Sequence, residues 1–178
     1  MKKASKKKVS KKKSSKRAKT AAKKKAQPIP AGYRTVTPYL VCRGAAGAID
    51  FYKRAFGARE KMRMPGPDGR VSHAELQIGD SRLMLGDEWP EMGVKSPETL
   101  GGSGQSVFLY VKNVDAFTSK AIAAGATVVM PLQDMFWGDR YGKLKDPFGH
   151  EWSVATHKED LTPKQMAKRA QAAMGGGG

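Results

Sequence analysis

The same order of local signals runs through this chain twice, and no other feature constrains the fold as much. Thr37–Cys42 alternates like a strand, and Ala45–Phe56 carries helical spacing (Ala48, Ile49, Tyr52, Phe56) and stops at Gly57. Arg59–Met64 is a strand closed by the turn at residues 65–69. Val71–Ile78 and Arg82–Leu85 form a hairpin across Gly79-Asp80. The order then repeats: a strand at Ser106–Val111, a helix at Val114–Ala124, a strand at Thr127–Met130, and a last hairpin through Asp146-Pro147-Phe148-Gly149 into Glu151–Ala155. Gly57-Ala58 and Gly125-Ala126 stand 68 positions apart. A duplicated unit of about 50 residues cannot bury its apolar faces alone, so two copies must pack together. Met92–Gly104, rich in Gly, Ser and Pro, reads as the linker between them. Thr162 and Pro163 open a final helix that runs to about Met174.

Charge divides the chain differently. Of its 33 Lys and Arg, 14 lie in residues 2–25, which hold no acid; the remainder carries 19 basic against 16 acidic residues. The first 30 residues are expected to be a disordered Lys-rich tail, because nothing in them repays the entropy of ordering. Residues 31–158 are expected to form one two-module domain (about 33–91 and 104–157), with a helix and Gly tail at 159–178. The tail suits a polyanion, nucleic acid or polyphosphate, bound without regard to sequence because Lys positions but does not specify; the competing reading is a solubilising leader. No apolar run approaches the ~18 residues of a membrane span, and no apolar stretch follows the basic start as in a signal peptide. The expected location is cytoplasmic, with nucleoid association through the tail. The single Cys42 excludes a disulfide framework.

The stretches TPYLVCRGAAGAIDFYKRAFGA, HAELQIGDSRLML and MFWGDRYGKLKDPFGHEW resemble the vicinal-oxygen-chelate superfamily of glyoxalase I, bleomycin-resistance proteins and extradiol dioxygenases, and within it the PhnB-like subgroup. The resemblance implies an α+β fold: two βαβββ modules whose eight strands curl into an incomplete barrel around a ligand cavity, often in a homodimer. It also implies metal ligands on the first and last strands of each module. Here those positions fall on Thr37, Met84, Ser106 and Ser153, none of them an ordinary ligand for Zn²⁺, Ni²⁺ or Fe²⁺. Among their neighbours only Gln105 has a usable donor. The expectation is therefore no metal and no cofactor.

Other chemistry is thinly signalled. His150-Glu151 begins like a zinc-protease motif, but position 154 is Val and the segment is a strand. Gly101-Gly102-Ser103-Gly104 is not a nucleophile elbow, and Cys42 alternates with Leu40 as a small buried hydrophobe. His73 and Glu75 share one strand face, opposite Met84, and are the candidate catalytic pair, with a two-ligand metal site as a weaker use of them. By strand parity Tyr39, Phe108 and Tyr110 join Met84 on the cavity face, with Phe136, Trp137 and Tyr141 alongside. Arg140 and Lys143 offer charge to an anionic group unless Asp139 neutralises Arg140. Trp152 and its opposite parity belong to the core. The ligand-binding set is thus Tyr39, Met84, Phe108, Tyr110, Trp137, Arg140 and Tyr141. The function expected is metal-independent binding of a small molecule. The alternative is a lyase or isomerase with Glu75 or His73 as general base.

Overall fold

The computed structural model describes Met1 and residues 26–175. The polycationic stretch 2–25 and the last three glycines lie outside the described residues. In the first module a short strand β1 (Tyr39–Cys42) leads into α1 (Ala45–Phe56), followed by β2 (Arg59–Pro65), β3 (Val71–Ile78) and β4 (Ser81–Asp87). After a helical turn, α2 (Pro97–Leu100), the second module repeats the order with β5 (Ser106–Tyr110), α3 (Val114–Ala123), β6 (Thr127–Asp134), β7 (Asp139–Lys145) and β8 (Glu151–His157). A last helix, α4 (Pro163–Gly175), closes the described chain. The strands form two four-stranded sheets, β1-β4-β3-β2 and β5-β8-β7-β6, and do not close into a barrel.

Local chemistry sets the helix ends. Gly57, at φ 66, stops α1 with its N–H on Tyr52 O; only glycine takes that left-handed conformation without strain. Thr162 and Gln165 form a reciprocal cap on α4, Gln165 N–H to Thr162 Oγ1 and Thr162 N–H to Gln165 Oε1. The start of α1 has no side-chain cap of its own, since Gly44 precedes it. Buried Asp87 at the end of β4 does that work, accepting from Gly44 N–H, Ala45 N–H and Val71 N–H at 2.6–2.9 Å. Thr156 in β8 holds the start of α3 in the same way, accepting from Val114 N–H at 2.9 Å and donating to Val111 O.

One core spans both modules. Alternate residues Leu40, Cys42, Ala74, Leu76, Leu83 and Leu85 turn towards α1, while Trp152 and Val154 meet them from β8. At the junction Tyr52, Phe56, Phe117 and Trp152 interlock, with Phe56 and Phe117 stacked at 5.3 Å and Phe56 edge-on to Trp152 at 4.7 Å. Each ring buried this way contributes about 1.5–3 kcal/mol over exposure. Buried Asp146 binds the same junction, accepting from Tyr52 Oη at 2.7 Å, Trp152 Nε1 at 2.9 Å, and the N–H groups of Phe148 and His150. Cys42 is fully buried with its thiol pushed up by burial, and His150 Nε2 lies 3.6 Å from its sulfur.

Two boundaries differ from the sequence reading. β1 starts at Tyr39, so Thr37 and Pro38 precede the strand. The expected open linker contains α2, pinned by Glu88. That carboxylate accepts from Thr99 Oγ1, Arg43 Nε and Ser96 N–H. Burial would raise its pKa, but these hydrogen bonds outweigh it and hold it at about 2.

Candidate functional site

The faces of both sheets turned away from the helices carry the candidate site, and their registers match position by position. Across the first sheet runs the row Tyr39–Met84–Glu75–Met62; across the second runs Phe108–Ser153–Lys143–Met130. Pseudo-equivalent places thus hold Tyr and Phe, Met and Ser, and Glu and Lys. The expected facing of Glu75 and Met84 across the Gly79-Asp80 turn is seen directly in the register.

On the first sheet Tyr39 stacks on His73 at 5.7 Å between centroids. The approach depends on Gly86, where a Cβ would stand 2.8 Å from both Tyr39 Oη and Ser72 O. His73 Nε2 lies 3.6 Å from Glu75 Oε1, a charge contact too long for a hydrogen bond.

On the second sheet Phe108 packs against Tyr110 and Tyr141, and Trp137 meets Tyr141 edge-on. Asp139, nearly fully buried, organises the far side of this cluster. It accepts from Tyr110 Oη at 2.9 Å, Trp137 Nε1 at 3.1 Å and His157 at 2.7 Å. The hydrogen bond to Asp139, followed by burial, raises the Tyr110 pKa and keeps the phenol protonated. His157 bridges Asp139 and Asp160 through its two ring nitrogens, so its pKa is raised, Asp139 first.

The candidate residues therefore form two groups, one per sheet; Tyr39 and Phe108 line one cavity of about 450 Å³ between them, but among the described residues no ring of one group stacks on a ring of the other. Arg140 joins neither. Neighbouring residues on a strand point to opposite faces, so Arg140 turns to the helix side and grips Asp115 of α3 at 2.7–3.0 Å, with Asp134 at 3.4 Å. For the same reason Asp139 does not neutralise it. The sequence reading missed Asp139 as the organiser of this cluster, although its parity with Tyr141, two residues on, was a signal that could have found it. Tyr33 and Arg82 were also missed: Arg82 shares the parity of Met84, but the fold of residues 30–38 back over it leaves no local pattern.

The four positions where related metal enzymes carry ligands hold a different chemistry. Ser153 Oγ lies 3.0 Å from both Ser106 Oγ and Tyr141 Oη, forming a chain of hydroxyls. Thr37 Oγ1 donates to Arg34 O, and Met84 presents a thioether. This set does not fit a divalent metal ion. Among the described residues no group of three His, Cys, Asp or Glu side chains is arranged to hold one.

Residues 35–154 match the family model of the Glyoxalase/Bleomycin resistance protein/Dioxygenase superfamily. The chain belongs to that superfamily. Superfamily relatives include the uncharacterized protein Rv0887c of Mycobacterium tuberculosis, 47% identical over 142 residues, covering 78% of this chain and 81% of that protein. The crystal structure of TioX from Micromonospora sp. ML1 is similar at 30% identity, with a TM-score of 0.54, over 68% of this chain and 96% of TioX. The Arabidopsis thaliana At5g48480 gene product shares 29% identity with a TM-score of 0.57, over 69% of this chain and 98% of that one. Members of the superfamily include resistance proteins and enzymes, so membership alone leaves the activity of this glyoxalase-like chain to its site.

Proposed function

We propose that the protein is a metal-independent small-molecule binding protein of the glyoxalase/bleomycin-resistance type. The observation that carries this reading is the pair of aromatic faces, Tyr39 on His73 and Phe108 on Tyr141, the second set beside hydroxyl groups placed to donate and accept hydrogen bonds. Roughly half of Tyr39 and Phe108 is open to solvent (45% and 46%), which suits rings that receive a ligand rather than fill a core. On this reading two copies assemble as a homodimer over these faces, the protein works in the cytoplasm, and residues 2–25 hold it on nucleic acid or another polyanion. The test is ligand-detected NMR of the full chain against neutral aromatic compounds in the presence of EDTA. Binding that persists in EDTA and weakens about tenfold in Tyr39→Ala or Phe108→Ala supports it, as stacking is worth about 0.5–1.5 kcal/mol beyond area. Absence of binding, or binding only with added metal, overturns it.

A second reading, a metal-free lyase or isomerase, draws on the approach of His73 to Glu75. Turnover of a hemithioacetal in EDTA that is lost in Glu75→Gln would favour it over binding alone.

A further inference from the structure

Between the modules lies a cavity of about 210 Å³, walled by Val36, Ile78, Leu83, Val107, Leu109 and Trp152 and reached by Arg34 and Arg82. The charge of Arg34 is shared with Asp80 at 3.9 Å in an exposed pair. Arg82 is different. Its Nε and Nη1 are shut off from solvent, yet neither has a hydrogen-bond acceptor among the described residues. No carboxylate among the described residues lies within 4 Å of it. Its guanidinium instead lies 5.5 Å from the centroid of the Tyr33 ring and close under Gly32, where a Cβ would stand 3.2 Å from Nη2. Tyr33 Oη is a third buried atom without a partner at this place, near Glu75 but outside hydrogen-bond geometry. Arg82 is part-buried, with two guanidinium donors shut away and unmatched, and native structures normally satisfy such groups with an acceptor, water or an ion.

We infer that this seam cavity is an anion site, in which Arg82 grips the carboxylate of a small monocarboxylic acid whose apolar body lies against Val107, Leu109 and Trp152. The charge count selects a monoanion: one unpaired guanidinium balances one carboxylate, whereas a phosphate dianion would stay half uncompensated. The walls select an apolar body, and the volume a compact one. The cover over the site is lightly held. The hydrogen bonds of Tyr33 N–H to Pro30 O and Thr37 Oγ1 to Arg34 O stay within residues 30–37, and polar contact with the rest of the molecule is the long exposed Arg34–Asp80 pair and the Tyr33 ring over Arg82. The guanidinium can therefore be uncovered without breaking the core. This inference rests on the reading of the chain as a small-molecule binder; the cavity shares Phe108 with the second aromatic face, but the proposal turns on Arg82, which neither face uses.

Matched probes test it. The full chain is titrated calorimetrically with 3-phenylpropionate and with 3-phenylpropanol, which has the same body without the charge, at about 150 mM salt to screen exposed Lys. The acid is expected to bind at least about tenfold tighter, because a hydrogen bond to a charged group is worth roughly 1.5–3 kcal/mol. Arg82→Met should abolish that preference and Arg82→Lys should keep part of it. Equal affinity of acid and alcohol overturns the inference, as does an acid preference that survives in Arg82→Met, which would place the anion on other cations. If Arg82→Met does not fold, methyl resonances of Leu83, Val107 and Leu109 in the unaltered chain decide: shifts with the acid alone support the site, and unmoved methyls overturn it. Neutral aromatics that bind while the acid gains nothing would sink this site and leave the proposed function standing. Arg82-dependent acid binding without any neutral binding would do the reverse.

Discussion

Asp146 and Asp139 are buried carboxylates whose sequence neighbours say little of what they do. Asp146 accepts four hydrogen bonds, two from backbone and two from rings of different modules. Asp146→Ala would leave all four donors buried without an acceptor and should cost about 3–5 kcal/mol, read as a lower urea midpoint with an unchanged slope. Tyr52→Phe removes a single donor and should cost about 1 kcal/mol in the same assay. At this scale the sequence was half legible. Strand alternation placed Tyr39, Glu75, Met84, Phe108 and Tyr110 on one face because a period of two needs only neighbours along the chain. Arg140 was misjudged because its partner Asp115 lies 25 residues away on a helix that crosses above the strand. The covering of Arg82 by Tyr33 was invisible for the same reason.

The two modules solve one problem at the level of elements with different residues. Each helix begins beneath the end of its module's last strand, and a side chain there reaches the exposed N–H groups: Asp87 for α1 and Thr156 for α3. Gly44 offers α1 nothing, whereas Asn113 caps α3 itself through Ala116 N–H. The substitutions should therefore differ in cost. Asp87→Ala strands three donors and is expected to lose about 2–4 kcal/mol, while Thr156→Val leaves Asn113 in place and should lose about 1 kcal/mol. Denaturant unfolding of both variants checks the ordering, and equal costs would refute it. Most element boundaries were readable because Gly57, Gly79-Asp80 and Gly125 punctuate them. α2 was not: four residues are too few to show a period, and Ser96, Glu88 and Thr99 hold it through contacts made only after folding.

For the whole molecule, His150 and His157 tilt stability in opposite directions with pH. Burial lowers the pKa of His150, so the folded state resists its protonation and stability falls as pH drops below the ordinary histidine value near 6.5. His157 is raised by Asp139 and then Asp160; the stability it adds is present below that value and fades as pH climbs through its raised folded pKa. The melting temperature should thus peak near neutrality. His157→Gln should flatten the alkaline limb and leave the acid limb unchanged, as a series of thermal melts from pH 5 to 9 would show; an unaltered alkaline limb refutes the assignment. One edge strand of each sheet, β2 and β6, bears on a different matter. Both are open along most of their length, and both break register, β2 at Glu60/Met62 and Met64/Pro65 and β6 at Val128/Met130 and Met130/Gln133. Pro131 lies within the last of these breaks, and Gly142 admits the residues on either side of it, since a Cβ there would meet Met130 O at 2.9 Å and the Leu132 side chain at 3.0 Å. A straight, unbroken edge carrying Val128, Val129 and Met130 would template the strands of neighbouring molecules and seed fibres. The kinks in β2 and β6 deny such strands a flat surface to join, so each sheet carries one edge that resists the addition of a further strand.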